Sequence, residues 1–121
     1  MNYSQRRLKA VDLLASLKLD ALVLCEPENM RYLCGFTGSD GTLIISTEQL
    51  VFLTDSRYTT QAGIEVSADR IEEYTVKSDA IVAVLSSLSV KRAGFEAGLA
   101  VGVFNDCLLY TSDAADDSIR V

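Results

Sequence analysis

Short apolar runs separated by stretches of helical spacing constrain the fold of this 121-residue chain more than any other feature. The run at 21–25 is continuous, as is typical of a strand buried on both faces of a sheet, whereas Leu8, Val11, Leu14 and Leu17 recur about once per helical turn. Strands that alternate with helices predict an α/β layered domain. The predicted strands span 21–25, 42–46, 50–54, 71–76 and 92–96. The first predicted helix spans 4–19, a short second helix includes Met30 and Leu33, and a third ends at about 66. Ser78 is predicted to cap a fourth helix, and a fifth is predicted to begin near residue 100.

One pair of strands is joined too tightly to be parallel. Residues 47–49 connect the predicted strands 42–46 and 50–54, and a parallel crossover needs about a dozen residues or more. These strands are therefore predicted to form an antiparallel hairpin. A hairpin within an otherwise alternating pattern predicts a mixed β-sheet flanked by helices, in one domain of ordinary size.

Composition excludes several classes of function. The chain has no histidine, which excludes mechanisms that need imidazole as a base, nucleophile or metal ligand. Its net charge of −6 is a poor match for nucleic-acid phosphates and for anionic lipid, so no nucleic acid and no membrane is expected as a partner. No apolar run approaches the roughly 20 residues that span a bilayer, and no secretory leader is recognisable. The expected location is cytoplasmic.

The three cysteines, Cys25, Cys34 and Cys107, form an odd set without C-x-x-C spacing. Such a set predicts thiols that pack rather than pair in disulfides. Cys25 and Cys34 would act as nucleophiles only beside an activating base or cation, and histidine is not available as that base. Buried packing is therefore the preferred interpretation of both.

Residues 29–41 form the densest motif, and its structural candidates are Asn29, Gly35, Phe36, Gly38 and Gly41. The Gly-x-x-Gly-x-x-Gly spacing has two interpretations. A phosphate-binding loop is one, although neither P-loop nor dinucleotide spacing is met. The preferred one is a tight helix-to-strand connection, with glycine where the backbone needs a positive φ.

A second motif, residues 54–58, follows a predicted buried strand. Strand ends in open α/β sheets often face ligand crevices, so Asp55 and Arg57 are candidates for a binding site. The alternative is that Asp55 and Arg57 pair with each other or cap the helix that follows. The sequence favours this structural alternative.

Three segments in register resemble the N-terminal domain of the creatinase/prolidase/Xaa-Pro aminopeptidase family, peptidase family M24. Residues 29–41 resemble the signature N-x-R-Y-L-T-G-F-T-G-S-x-G, with Cys34 in place of the commoner threonine. Residues 53–58, followed by Gln61 and Ala62, resemble T-D-x-R-Y-x-x-Q-A, and Gly94-Phe95-Glu96 matches a third, shorter element. The order and spacing agree from about residue 6 to residue 106.

This resemblance implies properties that the residues alone do not show. In the family, the domain has a mixed sheet flanked by helices around a ribonuclease H-like core, and it precedes a larger catalytic domain of the pita-bread fold. That second domain holds two divalent metal ions, manganese or cobalt, whose bridging water attacks the bond before a proline. None of those ligands is assigned here, so no metal and no cofactor is expected in this chain. The family's N-terminal domain helps to form homodimers and restricts the cavity to short proline-containing peptides.

The pattern changes at Cys107. From there to Asp117 the sequence resembles an in-frame translation of a transposase adapter used in sequencing libraries. We therefore expect residues 1–106 to be an incomplete creatinase/prolidase N-terminal domain, truncated at its C-terminal end. Residues 107–121 would then be an adapter-derived tail, and the catalytic domain would be absent.

The leading hypothesis is the non-catalytic N-terminal domain of a metal-dependent Xaa-Pro aminopeptidase or dipeptidase, inactive by itself. No residue is a catalytic candidate. Candidates for the substrate entrance or for contact with the catalytic domain lie near loop and strand ends: Arg31, Tyr32, Asp55, Arg57 and Tyr58. Two alternatives remain open, namely a peptide- or protein-binding module of the same fold and a creatinase-like amidinohydrolase.

Overall fold

The computed structural model describes residues 3–38 and 40–96, together with the backbone of residues 119–120. The helices in these ranges are α1 (Tyr3–Leu17), α2 (Pro27–Cys34), α3 (Thr59–Glu65) and α4 (Lys77–Ser87). The strands are β1 (Ala21–Leu24), β2 (Thr42–Ser46), β3 (Leu50–Thr54), β4 (Arg70–Glu73), β5 (Ala93–Phe95) and β6 (Ile119–Arg120). The predicted boundary at 106 and the predicted helix from about 100 lie outside the described residues.

One mixed sheet contains these strands, in the order β4-β3-β2-β1-β5-β6. β2 is antiparallel to both of its neighbours, β1 and β3, whereas the β3–β4, β1–β5 and β5–β6 pairs are parallel. The predicted hairpin is confirmed, with Thr42 opposite Leu53 and Ile45 opposite Leu50. Its turn is closed by the Ser46 hydroxyl, which accepts a hydrogen bond from the Gln49 N–H at 2.9 Å. The predicted fold class, a mixed sheet flanked by helices, is therefore confirmed.

The sheet separates two buried clusters. On one face, α4 packs Ile81, Val84 and Leu85 against strand residues that include Ile44 and Leu53. On the other face, α2 and α3 pack over alternate residues of the same strands, and Ala10 and Val11 of α1 extend that cluster. Side chains alternate between the faces because successive residues of a strand point in opposite directions. The second cluster includes Met30, Leu33, Phe36, Leu43, Ile45, Phe52 and Ala62.

Three details of the sequence prediction are wrong. Of the predicted apolar stripe of α1, Leu14 is buried, whereas Leu8 and Leu17 are 63% and 49% exposed. Ser78 lies inside α4, whose N-cap is Val76 and has no side-chain cap. β4 ends at Glu73 rather than at Val76, because β3 ends at Thr54 and offers no partner beyond that residue. These three errors concern how far an element extends or packs, while its existence and type were predicted correctly. In addition, β6 was not among the predicted strands, although it pairs with β5.

Within the described part of the chain, no helix has the length and apolar character required to cross a membrane.

Candidate functional site at the carboxyl edge of the sheet

Sheet topology brings the motif residues to one edge. β1, β3, β4 and β5 run in the same direction, so their carboxyl ends lie together, and antiparallel β2 begins at that edge. The residues that follow these strand ends are therefore neighbours in space although they are distant in sequence. In open α/β sheets this is the edge at which ligands and partners commonly bind.

Asp55 and Arg57 pair with each other, as the structural alternative proposed. The Asp55 carboxylate accepts the Arg57 backbone N–H at 2.9 Å, and it also accepts the Nε and Nη2 groups of the guanidinium at 3.1 and 2.7 Å. These bonds from Arg57 lower the pKa of Asp55 below its ordinary value. The Arg57 side chain is nevertheless 68% exposed, so a charge held in a fixed orientation faces outward.

Asp40 connects this pair to α4. Its carboxylate lies 3.1 Å from the Lys77 Nζ and 3.4 Å from the Arg57 Nη2, and it accepts a hydrogen bond from the Tyr74 hydroxyl at 3.3 Å. Burial, followed by the negative charge of Asp40, raises the pKa of Tyr74. We call Asp40, Asp55, Arg57, Tyr74 and Lys77 the edge cluster. It combines two carboxylates with two cations, so it is close to neutral within an acidic chain.

Sequence reasoning missed three members of the edge cluster. Asp40 lies within the first motif but is not among the sequence candidates, and Tyr74 and Lys77 lie in no motif. Lys77 contacts Asp40 across 37 positions. The order of the strands in the sheet brings Lys77 and Asp40 together. The position of Lys77 shortly after a predicted strand could have indicated that it lies at this edge.

Residues 35–41 are called the signature loop, and its described residues, 35–38 and 40–41, pack closely against aromatic rings. Gly35 has a φ of +87°, as expected where glycine is needed for a left-handed conformation. The other two glycines are needed for a different reason, which corrects the sequence interpretation. A Cβ atom on Gly38 would lie 2.3 Å from the Phe36 ring, and one on Gly41 would lie 2.6 Å from the Phe52 ring.

Aromatic packing fixes these rings. The Phe36 and Phe52 ring centroids are 4.7 Å apart, and Tyr58 packs edge-on against Phe36 at 5.8 Å. Tyr58 thus contacts the signature loop through the Phe36 ring. The Arg57 guanidinium in turn lies 5.4 Å from the Tyr58 ring centroid. The second motif therefore both supports the signature loop and contributes to the edge cluster.

Glu65, at the end of α3, holds the middle of the signature loop. Its carboxylate accepts the Thr37 backbone N–H at 2.9 Å and the Thr37 hydroxyl at the same distance. Gln61, one turn earlier on α3, donates to the same carboxylate at 3.3 Å. The bonds from Thr37 lower the pKa of Glu65.

Arg31 and Tyr32 lie elsewhere, on α2. The Arg6 guanidinium of α1 lies 4.4 Å from the Tyr32 ring centroid and donates to the Tyr32 carbonyl at 2.9 Å. Tyr32 is 46% exposed, and within the described ranges no hydrogen bond or ion pair involves the side chain of the exposed Arg31. The five candidates therefore divide into the edge-cluster side (Asp55, Arg57 and Tyr58) and a separate α2 surface (Arg31 and Tyr32).

Both described cysteines behave as packing residues. Burial raises the pKa of the Cys34 thiol to about 11, and the thiol donates to the Met30 carbonyl at 3.2 Å. Burial, followed by the charge of Glu96, raises the pKa of Cys25 to about 11 as well. Thiols with raised pKa values remain protonated at neutral pH and are poor nucleophiles.

The edge cluster does not fit a catalytic metal pair. Asp40 and Asp55 are the carboxylates that lie together there, and each already accepts hydrogen bonds from a cationic side chain. A dinuclear site needs several carboxylate or imidazole ligands, and the sequence contains no histidine. Among the described residues, no group of three or more potential ligands could hold a metal ion.

The family is identified by the matched residues. Residues 6–107 match the creatinase/prolidase N-terminal domain, and they include all three signature segments. The chain belongs to this family.

Individual relatives agree with that assignment. The chain is 37% identical over 89 residues to the uncharacterized peptidase YqhT of Bacillus subtilis, an alignment that covers 73% of this chain and 25% of that protein. The chain thus spans about a quarter of the length of that relative.

Two solved structures share the fold. The Xaa-Pro dipeptidase of Bacillus anthracis superimposes with a TM-score of 0.86 at 22% identity, over 99% of this chain and 34% of that one. The N-terminal domain of the cytoplasmic peptidase PepQ of Mycobacterium tuberculosis gives a TM-score of 0.82 at 26% identity, over 97% of this chain and 92% of that one. The second comparison matches one N-terminal domain to another.

Proposed function

We propose that this chain is the non-catalytic N-terminal domain of a metal-dependent Xaa-Pro aminopeptidase or dipeptidase, an enzyme that removes the residue before proline from short peptides. The main support for the proposal is that the chain belongs to this family and that its signature segments lie together at one edge of the sheet. The names of the similar structures support the substrate class, since one is an Xaa-Pro dipeptidase.

Catalysis would belong to a second domain. In this proposal residues 1–106 form the N-terminal domain, residues 107–121 are an adapter-derived tail, and the catalytic domain follows in the uninterrupted protein. That domain would supply the ligands for two divalent metal ions, manganese or cobalt, because the carboxylates of the edge cluster are already paired with cations. The chain by itself would hydrolyse nothing.

The edge cluster and the α2 surface would contact the other parts of the enzyme. Arg57, exposed and oriented by Asp55, is suited to meet polar groups of the catalytic domain or of a peptide at its entrance. Arg31 and Tyr32 offer a second surface, and a homodimer of the complete enzyme would give it a partner. A cytoplasmic location is supported by the name of the Mycobacterium tuberculosis relative, which is a cytoplasmic peptidase.

The test is to recover the uninterrupted gene and to assay the complete protein on Xaa-Pro peptides with added manganese. We expect hydrolysis by the complete protein, and none by this chain or by a complete protein with one metal ligand replaced. A complete protein that retains every metal ligand and still cleaves no such peptide would contradict the proposal. Absence of those ligands would favour the binding module, and hydrolysis of creatine would favour the amidinohydrolase.

A further inference from the structure

The Glu96 side chain, which directly follows β5, accepts three hydrogen bonds from residues about 70 positions earlier in the chain. Its Oε1 accepts the backbone N–H groups of Cys25 and Glu26, each at 2.7 Å, and its Oε2 accepts the side-chain amide of Asn29. Its own N–H donates to the Val23 carbonyl at 3.0 Å, which continues the β1–β5 pairing. Main chain and side chain together therefore fasten Glu96 to the β1–α2 connection.

The Glu96 carboxylate lies at the start of α2, where it accepts the N–H of the N-cap residue, Glu26. Glu26 is the N-cap of α2, but its own side chain makes no capping hydrogen bond, and Pro27 has no N–H to offer. A helix start leaves unpaired N–H groups and partial positive charge, both of which a carboxylate satisfies. Here that carboxylate comes from about 70 positions further along the chain, at the end of another strand.

We propose that Glu96 is a positioning residue: with Asn29 it fixes the direction in which α2 leaves the sheet, and hence where Arg31 and Tyr32 lie on the surface. The role of that surface rests on the proposed function, whereas the positioning itself can be measured in this chain alone. At the far end of the same helix, Arg6 holds Tyr32 and its carbonyl. The α2 surface is thus fixed from both ends.

The experiment compares backbone amide exchange, followed by NMR, in the wild-type chain and in Glu96→Ala. We expect exchange at Cys25 and Glu26 to accelerate about tenfold or more, because charge-assisted hydrogen bonds are lost, and the acceleration to extend through α2 with a shift of the Tyr32 ring resonances. Strands β2 and β3 should keep their wild-type exchange. Glu96→Gln retains an acceptor for the two N–H groups and should restore most of the protection.

Glu73→Ala is the matched control, because Glu73 also ends a parallel strand of this sheet and its carboxylate accepts a hydrogen bond from the Thr59 hydroxyl at 2.6 Å. This variant should leave α2 unchanged. If Glu96→Ala does not fold, Asn29→Ala tests the same connection and should loosen the first turn of α2.

Unchanged exchange at Cys25 and Glu26, or an increase spread evenly over all strands, would overturn the positioning role. These readouts do not involve peptide hydrolysis, so failure of the proposed function would leave them unaffected.

Discussion

The two faces of the sheet are packed in different ways. On the α4 face, aliphatic side chains such as Ile44, Leu53 and Ile81 fill most of the space between helix and strands, together with Phe95 and the partly buried Tyr74. On the opposite face, Phe36 and Phe52 lie in contact, and the signature loop passes so close to them that glycine is required at two positions. Two of the three signature segments contribute to this aromatic face.

The difference explains why two of the three signature segments contribute to this face. Aliphatic cores tolerate exchanges that conserve volume, so many sequences can build the α4 face. On the aromatic face, the backbone path depends on particular rings and on the absence of particular Cβ atoms. The residue type at each of these positions is therefore restricted individually, and the loop that these residues support ends next to the edge cluster.

The largest expected effect is the loss of a ring from the aromatic face. Phe36 is 1% exposed and contacts both Phe52 and Tyr58. We expect Phe36→Ala to lower the free energy of unfolding by about 3–5 kcal/mol, against about 0.5–1.5 kcal/mol for Ile81→Val on the α4 face. Urea unfolding followed by circular dichroism measures both, with Phe36→Leu as a milder variant. A loss for Phe36→Ala no larger than that for Ile81→Val would contradict the tight packing of the Phe36 ring.

Glycine substitutions should have opposite signs in the two environments. Gly41→Ala places its methyl group against the buried Phe52 ring, and overpacking of this kind costs about 1–3 kcal/mol. Gly63 lies within α3, and a methyl group added there would meet no atom within 4 Å, so Gly63→Ala should stabilise the chain by about 0.4–1 kcal/mol. Thermal unfolding of both variants gives the comparison, and a stabilised Gly41→Ala would contradict the account of the signature loop.

A smaller effect is expected in thiol chemistry. Burial is the largest cause of the raised pKa of both thiols, but the charge of Glu96 raises the pKa of Cys25 further, whereas Cys34 has no such contribution from Glu96. In a Cys107→Ser background, Glu96→Gln should therefore lower the pKa of Cys25 and speed its alkylation at fixed pH, with Cys34 unchanged. Mass spectrometry of the alkylated peptides measures the two rates. Equal acceleration at both thiols would indicate general loosening instead.

The smallest expected effect is in the response to acid. Since the bonds from Thr37 lower the pKa of Glu65 in the folded chain, its contribution is present above the unfolded value of about 4.3 and is lost as pH falls through the folded pKa. The stability difference between wild type and Glu65→Gln should therefore shrink from pH 7 to pH 3. Urea unfolding at both pH values tests this, with Glu48→Gln on the hairpin turn as the control. A difference that grows in acid would have the wrong sign.

The sequence was most informative where residues close together in the chain determine the structure. The strands 42–46 and 50–54 were predicted with their exact bounds, because both are continuous apolar runs and their connection is too short for a crossover. The Asp55–Arg57 pair was foreseen because the two residues are close in the chain. The family was recognisable because its signatures are ordered and specific.

The sequence was least informative where distant elements meet. Helical spacing placed Leu8 and Leu17 on an apolar stripe, but the width of the buried stripe depends on how α1 lies over α2 and β2. The need for glycine at Gly38 depends on the position of a ring that only the fold determines. The bonds of Asp40 to Lys77 and of Glu96 to Asn29 join residues 37 and 67 positions apart, so neither could be read from local spacing.

In the proposed function, the carboxyl edge of the sheet is the surface that serves the catalytic domain. Arg57 and Arg70 form a matched pair for its test, since each is bound to a carboxylate two positions away, but Arg57 lies at the carboxyl edge and Arg70 begins β4 at the opposite edge. The most direct measurement is kcat/KM for an Xaa-Pro peptide in the complete enzyme carrying Arg57→Gln or Arg70→Gln. We expect a several-fold loss for Arg57→Gln and wild-type activity for Arg70→Gln. Wild-type activity in both variants, or equal losses in both, would contradict it.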